Sequence, residues 1–132
     1  MKPLRILHTD FHRGWGGQAA RILMLSKELA RRGHEVVIAA PAGELSRRAL
    51  EAGLQVEDRF TFRAPARALS FLADVRRLAV MLRRDRFDVV DVHGSQDTWV
   101  AAIARATTRR PDCLVMTRHN TKRVRTGLPN RL

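Results

Sequence analysis

Three glycines lie in the stretch His8-Thr-Asp-Phe-His-Arg-Gly-Trp-Gly-Gly-Gln18, between a short apolar run (residues 4–7) and a long amphipathic run (residues 18–32). Glycine lets another molecule approach the main chain closely because it has no Cβ. A helix that begins directly behind such a loop presents free N–H groups and the positive end of its dipole, which favour an anion such as phosphate. The sequence therefore predicts a ligand-facing loop that follows a strand.

Other polar groups follow later apolar runs of the chain. One is His93-Gly-Ser-Gln-Asp97, a second is Arg118-His-Asn-Thr121, and Pro41 and Gly43 follow an earlier run. Imidazole, carboxylate, amide and hydroxyl groups together suit a polyhydroxylated ligand and proton transfer near neutral pH. Any α/β domain places polar loops at one edge of its sheet, so only the coincidence of these groups supports a site.

Short apolar runs alternate with amphipathic ones along the whole chain. Strands are predicted at residues 4–7, 34–40, 54–56, 87–93 and 113–117, and helices at residues 18–32, 45–52, 98–107 and, for about 17 residues, from Leu69 onward. This alternation predicts an α/β fold with right-handed crossovers, a Rossmann-like parallel sheet and flanking helices. In such a sheet all the polar loops above meet at one edge.

Composition limits the class of protein. The 132 residues suffice for one domain, and the formal net charge of +12 comes almost wholly from arginine. Such a charge favours anionic partners, while the alternative is a solvated basic surface. Cys113 is the single cysteine, so a reducing, cytoplasmic location is expected. No apolar run approaches the roughly 20 residues that would cross a bilayer.

Three common site patterns do not fit the chain. The dinucleotide fingerprint needs an acidic residue after the second strand, where this sequence has Ala39-Ala-Pro41. The phosphate-loop pattern ending in Gly-Lys-Ser/Thr is missing. No Cys/His spacing is typical of structural zinc, so neither a metal nor a cofactor is predicted. Nucleic-acid binding is disfavoured because the chain has no aromatic platform or DNA-binding module.

Five segments together resemble the N-terminal domain of the retaining GT-B glycosyltransferases of family 4. They are the Gly16-Gly-Gln18 loop, Leu29-Ala-Arg-Arg-Gly-His-Glu-Val36, Ala39-Ala-Pro-Ala-Gly43, Phe87-Asp-Val-Val-Asp-Val-His93 and Thr117-Arg-His119. Where the family commonly ends its fourth strand in His-x-His, this chain has Asp91-Val-His93.

The resemblance implies a metal-independent transfer of sugar from a nucleotide-diphosphate sugar to a glycan or lipid-linked acceptor. Gly16 and Gly17 would lie against the donor phosphates or the transferred sugar, and Gln18 would help to position them. His119 would contact the sugar at the reacting centre as the catalytic residue. The acceptor side would be lined by His93, Ser95, Asp97 and Trp15.

Several of these residues also have purely structural interpretations. The glycines would fit a tight turn without a ligand, and His93 would fit a hydrogen-bonded loop. Asp97 is expected to be the N-cap of a helix beginning at Thr98. A solvated loop is favoured for His8, Asp10 and His12, and a core position for Trp99.

The third helix is strongly basic. Arginines lie along and around it at positions 63, 67, 76, 77, 83, 84 and 86. Such a helix suits an anionic membrane surface. However, Phe71 is its only aromatic residue, and its leucines are expected to face the sheet. A solvated basic face is therefore the favoured alternative.

The resemblance divides the chain into residues 1–118, an acceptor-side domain, and residues 119–132, a basic tail leading toward a C-terminal donor-binding domain. The pair of glutamates that the family keeps in that second domain has no counterpart here, so the chain alone is expected to be inactive. Cell-envelope polysaccharide or lipopolysaccharide synthesis is the expected pathway, at the inner face of the membrane. The alternative is a non-catalytic partner or membrane-tethering subunit of a split glycosyltransferase.

Overall fold

A computed structural model describes residues 2–63 and 67–118. The elements, in chain order, are β1 (Arg5–Thr9), α1 (Gly17–Arg31), β2 (Glu35–Ala39), α2 (Glu44–Glu51), β3 (Gln55–Glu57), α3 (Ala68–Asp85), β4 (Val89–Val92), α4 (Ser95–Thr108) and β5 (Cys113–Met116). All four strand pairings are parallel, in the order β3-β2-β1-β4-β5. The predicted Rossmann-like sheet with flanking helices is confirmed.

The strands bury both faces of the sheet because helices cover each side. Leu7 and Val90 pack with α3 and α4 in one apolar cluster. Ile38 packs with α1 and α2 in a second cluster on the opposite face. Near-continuous apolar runs such as Val36 to Ala40 fit this arrangement, since buried parallel strands need apolar side chains on both faces. The sheet thus has an apolar cluster on each face, with Leu7 of β1 and Val90 of β4 in the first and Ile38 of β2 in the second.

The first turns of α3 differ from the sequence prediction. Phe71 is buried in the core, whereas Leu69 and Leu72 are 86% and 60% exposed. Apolar residues at positions 69, 71, 72, 75 and 78 fit two helical phases, so the pattern did not decide which face meets the sheet. The larger ring of Phe71 fills the space beside Phe60 and Phe62, and the two leucines face outward.

Asp74 on α3 fixes the loop that precedes the helix. Its buried carboxylate accepts hydrogen bonds from the Thr61 N–H (3.0 Å), the Thr61 hydroxyl (2.8 Å) and the Phe62 N–H (2.7 Å). Phe62 has a φ of +46°, which is uncommon for a residue with a side chain. The carboxylate therefore holds a strained turn in place and keeps two phenylalanine rings in the core.

Replacing Asp74 with Ala is expected to lower the free energy of unfolding by about 3 kcal/mol, because buried N–H donors would lose a charged acceptor. Denaturant unfolding followed by circular dichroism measures this change. The exposed Asp58, replaced in the same way, serves as the control and should change stability by less than about 0.5 kcal/mol. Equal stability of the two variants would contradict the role given to Asp74.

Candidate functional site

The polar loops after β1, β2 and β4 leave the parallel sheet at the same edge, as predicted, whereas residues 119–121 of the fourth predicted loop lie outside the described residues. The loops after β1 and β4 are neighbours there, because Thr9 is the register partner of Val92. β2, which follows β1 along the chain, pairs with one side of β1, and β4 pairs with its other side, so the strand order reverses at β1. Ligands of open α/β sheets bind at such a point of strand-order reversal, outside the carboxyl ends of the strands.

The glycine loop forms one wall of a cavity at this edge. A volume of about 360 Å³ is lined by His12, Gly14, Trp15, Gly16, Gly17, Gln18 and Ala19. Gly16 is extended, with a φ of −164°, and Gly17 opens α1. A Cβ added at either glycine would meet no atom within 4 Å. Neither backbone conformation nor packing among the described residues therefore requires glycine at these two positions.

Gly43 and Gly94 behave differently. A Cβ at Gly43 would collide with the carbonyl group of Arg13, and one at Gly94 would collide with the ring of Phe11. The Glu44 N–H also donates to the Arg13 carbonyl at 3.3 Å, which ties the loop to the start of α2. These two glycines thus allow the β1 loop to pack tightly against its neighbours.

Gln18 is held by the buried Asp10. Its Nε2 donates to Asp10 Oδ1 at 2.6 Å, and His12 Nδ1 lies 3.1 Å from the same oxygen. The second oxygen of Asp10 is buried with no partner in the described part of the chain. The expected solvated loop is wrong for His8 and Asp10, which are both buried at the end of β1. Only the His12 side chain is about half exposed.

Two histidines converge on one carboxylate beside this loop. His8 Nδ1 lies 3.4 Å from Asp91 Oδ2, and His93 Nε2 lies 3.3 Å from the same atom. The two ring nitrogens are 3.1 Å apart. Burial raises the pKa of Asp91, but hydrogen bonds from both histidines and from the Thr117 hydroxyl outweigh burial and hold that pKa well below its usual range.

Asp97 links the end of β1 to the loop after β4 through its side chain. Its fully buried carboxylate accepts hydrogen bonds from the Thr9 hydroxyl and from the His93 N–H, the latter at 3.1 Å. Burial raises the pKa of Asp97 to about 6, against the opposing effect of these hydrogen bonds. The N-cap prediction for Asp97 is wrong, because α4 begins at Ser95 with Gly94 as its N-cap. Gly94, Ser95 and Gln96 carry no apolar side chain, so helical periodicity did not reveal this first turn.

The remaining candidate residues are Trp15, Ser95, His119 and Trp99. Trp15 is partly exposed, and its ring lies 4.0 Å from the guanidinium carbon of Arg48. Ser95 is exposed and its hydroxyl donates to Gln96 Oε1 at 2.8 Å. His119, the predicted catalytic residue, lies outside the described residues. Trp99 packs partly buried against the core, as expected.

The candidates therefore fall into two groups. Trp15, Gly16, Gly17 and Gln18 line the open cavity, whereas His93 and Asp97 lie buried behind it. Sequence reasoning missed His8 as the partner of Asp91. Polar residues spaced by two at the ends of both apolar strands, His8-x-Asp10 and Asp91-x-His93, are the signal that could have revealed the pairing. Contact with a ligand stays a prediction for every one of these residues.

No helix within residues 2–63 and 67–118 is both long and apolar enough to cross a bilayer. The exposed face of α3 nevertheless combines apolar and basic side chains. It presents Leu69, Leu72, Val80 and three arginines at positions 76, 83 and 84, a set hereafter called the α3 face.

Comparison with known structures gives similar folds at low sequence identity. A glycosyltransferase from Rickettsia africae superposes with a TM-score of 0.77 at 16% identity, over 96% of this chain and 32% of that one. MurG from Acinetobacter baumannii gives 0.72 at 16% identity, over 98% and 38%. A putative UDP-N-acetylglucosamine 2-epimerase from Listeria monocytogenes gives 0.61 at 18% identity, over 88% and 31%. The chain thus spans about a third of the length of each of these proteins.

No curated protein sequence matches the chain. The sequence model of Glycosyltransferase Family 4, in contrast, matches residues 15–132, which include Gly16, Gly17 and the strands β2 to β5. The sheet has the topology of a Rossmann-like half of the GT-B fold. This chain therefore belongs to glycosyltransferase family 4, as an N-terminal domain of the GT-B type.

Proposed function

We propose that the complete protein transfers a sugar, with retention of configuration, from a nucleotide-diphosphate sugar to a glycan or lipid-linked acceptor. The observation that carries this proposal is the pair Gly16 and Gly17. Both border an open cavity, and nothing in the described chain requires them to be glycine. Glycine is a preferred N-cap residue, which is one reason for Gly16, and close approach of a ligand to the main chain is a reason for both bare Cα atoms at this point.

The start of α1 supplies the electrostatics that a diphosphate needs. The first turn of the helix contains no acidic residue, so no carboxylate of the helix itself competes with an anion for its N-terminal N–H groups and dipole. Gln18 is oriented by its bond to Asp10, which leaves its amide oxygen for other contacts. Main-chain donors of this kind stabilise charge that develops on a leaving diphosphate, and they require no metal at that point.

The acceptor side is assigned to the exposed Trp15 and Ser95, with His93 and Asp97 as buried supports behind them. An indole ring suits stacking on a sugar ring, and a hydroxyl suits hydrogen bonding to its alcohol groups. His119 is proposed to contact the transferred sugar. A C-terminal donor-binding domain, in cis or on a partner chain, would supply the nucleotide site.

The α3 face supports a cytoplasmic enzyme that works at the inner surface of a membrane in cell-envelope polysaccharide or lipopolysaccharide synthesis. Leu69 and Leu72 are the most exposed apolar residues of α3, and Arg76 lies on the same face. Each basic residue near an anionic bilayer contributes about 1 kcal/mol of attraction. Leucines beside them would enter the interface, where a lipid-linked acceptor is presented.

Gly17→Val in the complete enzyme is expected to lower the rate of sugar transfer by about 100-fold or more, because the side chain would displace the donor from its reactive position. The free energy of unfolding should stay within about 1 kcal/mol of the wild-type value, since a Cβ at this position meets no atom within 4 Å and valine is a better helix former than glycine. Transfer to the acceptor and denaturant unfolding are measured on the same preparation.

Gly43→Ala provides the contrast for this variant. Its Cβ would meet the Arg13 carbonyl, so stability should fall and activity should fall only in step with the folded fraction. A folded Gly17→Val enzyme with wild-type turnover would refute the placement of the donor at the glycine loop.

For membrane attachment, the double variant Leu69→Ser/Leu72→Ser is expected to bind vesicles of anionic phospholipid at least about tenfold more weakly, because burying a leucine contributes about 1.5–3 kcal/mol. Leu50→Ser, at an exposed leucine of α2, is the matched control and should bind as the wild type does. Co-sedimentation at low and at high salt separates the apolar contribution of the leucines from the electrostatic contribution of the arginines, since salt screens the arginines. Equal binding of all three proteins would exclude the α3 face as the contact.

A further inference from the structure

The trio His8, Asp91 and His93 has a geometry that hydrogen bonding alone does not require. Its three facing atoms, His8 Nδ1, His93 Nε2 and Asp91 Oδ2, form a nearly equilateral triangle with sides of 3.1, 3.3 and 3.4 Å. All three residues are buried, and they form a group of potential metal ligands within the described part of the chain. Three potential ligand atoms, two of which must lose a proton or change tautomer to bind an ion, thus lie close together around one space.

The size of the triangle matches one kind of ion. Zn²⁺ binds imidazole nitrogen and carboxylate oxygen at about 2.0–2.2 Å, and tetrahedral geometry then separates neighbouring ligand atoms by about 3.3–3.5 Å. Two sides of the triangle, 3.3 and 3.4 Å, lie within this range, and the third, 3.1 Å, is slightly shorter. Two histidines and one carboxylate are also a ligand set that zinc enzymes use, with a fourth position left for water.

We propose that His8 Nδ1, His93 Nε2 and Asp91 Oδ2 bind a Zn²⁺ ion whose fourth position is open to water or a ligand oxygen. The ion would join the carboxyl ends of β1 and β4. The proposal shares His93 with the acceptor side, where this histidine is only a buried support, and no step of sugar transfer passes through the ion.

The surroundings of the trio fit this role. His8 and Asp91 are register partners on adjacent strands, so the sheet itself sets their separation. The Thr117 hydroxyl donates to Asp91 Oδ1 at 2.7 Å, which orients the carboxylate and leaves Oδ2 for the ion. The side chain of Asp91 is 11% exposed, so this member of the trio has a small contact with solvent.

The test is a measurement of zinc uptake by the purified protein. After stripping with a chelator and dialysis against ZnCl₂, the wild type should retain one equivalent of zinc, by elemental analysis and by titration calorimetry. Replacement with Co²⁺ should give the visible absorption of a four-coordinate site. Saturable binding should also raise the melting temperature.

Asp91→Asn should abolish this uptake, because the amide is a poor ligand of nearly the same shape. Asp88→Asn, at the exposed aspartate just before β4, is the matched control and should retain the full equivalent. His12→Gln should also retain it, which separates the trio from a partly exposed neighbouring histidine. Thr117→Val should weaken binding by about 10–100-fold through the lost hydrogen bond to Asp91.

Wild-type protein that retains no zinc would overturn the proposal, and so would an Asp91→Asn protein that retains one equivalent. Circular dichroism shows whether Asp91→Asn has folded. Where it has not, Thr117→Val decides, and unchanged zinc affinity in that folded variant would equally overturn the site.

Discussion

The parallel pairing of β1 with β4 is the constraint on which the candidate site depends. It places His8 beside Asp91 and Thr9 beside Val92, so both following loops begin at one level. Asp97 then fastens these loops together through Thr9 and the His93 N–H. A slip of one residue would turn His8 to the opposite face of the sheet and separate it from Asp91. Apolar packing on both faces opposes such a slip, so the core stabilises the geometry of the polar edge.

Three carboxylates are buried at that edge, and the protein compensates each one differently. Asp91 is paired with two histidines and a hydroxyl. Asp10 accepts from the Gln18 amide, with His12 close to the same oxygen. Burial raises the pKa of Asp97 to about 6, and the nearby charge of Asp10 adds to this increase. A buried carboxylate without compensation would cost several kcal/mol. Each of the three carboxylates therefore depends on the partners described here, and Asp97 also depends on the charge of Asp10.

Sequence patterns predicted the order of elements, the parallel sheet and the edge at which the loops meet, because strong apolar periodicity determines all three. They did not predict which face of α3 meets the sheet, since two helical phases fitted and only the packing of Phe71 beside Phe60 distinguishes them. They also favoured a solvated loop at His8 and Asp10. The partners that bury His8 lie more than 80 residues away, on β4 and just after it, and no local pattern contains that information.

An anionic donor at the glycine loop would lie close to these buried carboxylates, and a different feature of each carboxylate reduces its repulsion of the donor. Asp91 accepts hydrogen bonds from both of its histidines, and a raised pKa makes Asp97 easier to protonate. Asp10 is fully buried and contacts the cavity through Gln18, which presents a neutral amide there. The surface that a diphosphate would meet therefore has main-chain N–H groups, the neutral Gln18 amide, glycine Cα atoms and the His12 and Trp15 side chains, and, among the described residues, no carboxylate. The buried carboxylates position the groups of that surface through hydrogen bonds, while the carboxylates themselves are not part of it.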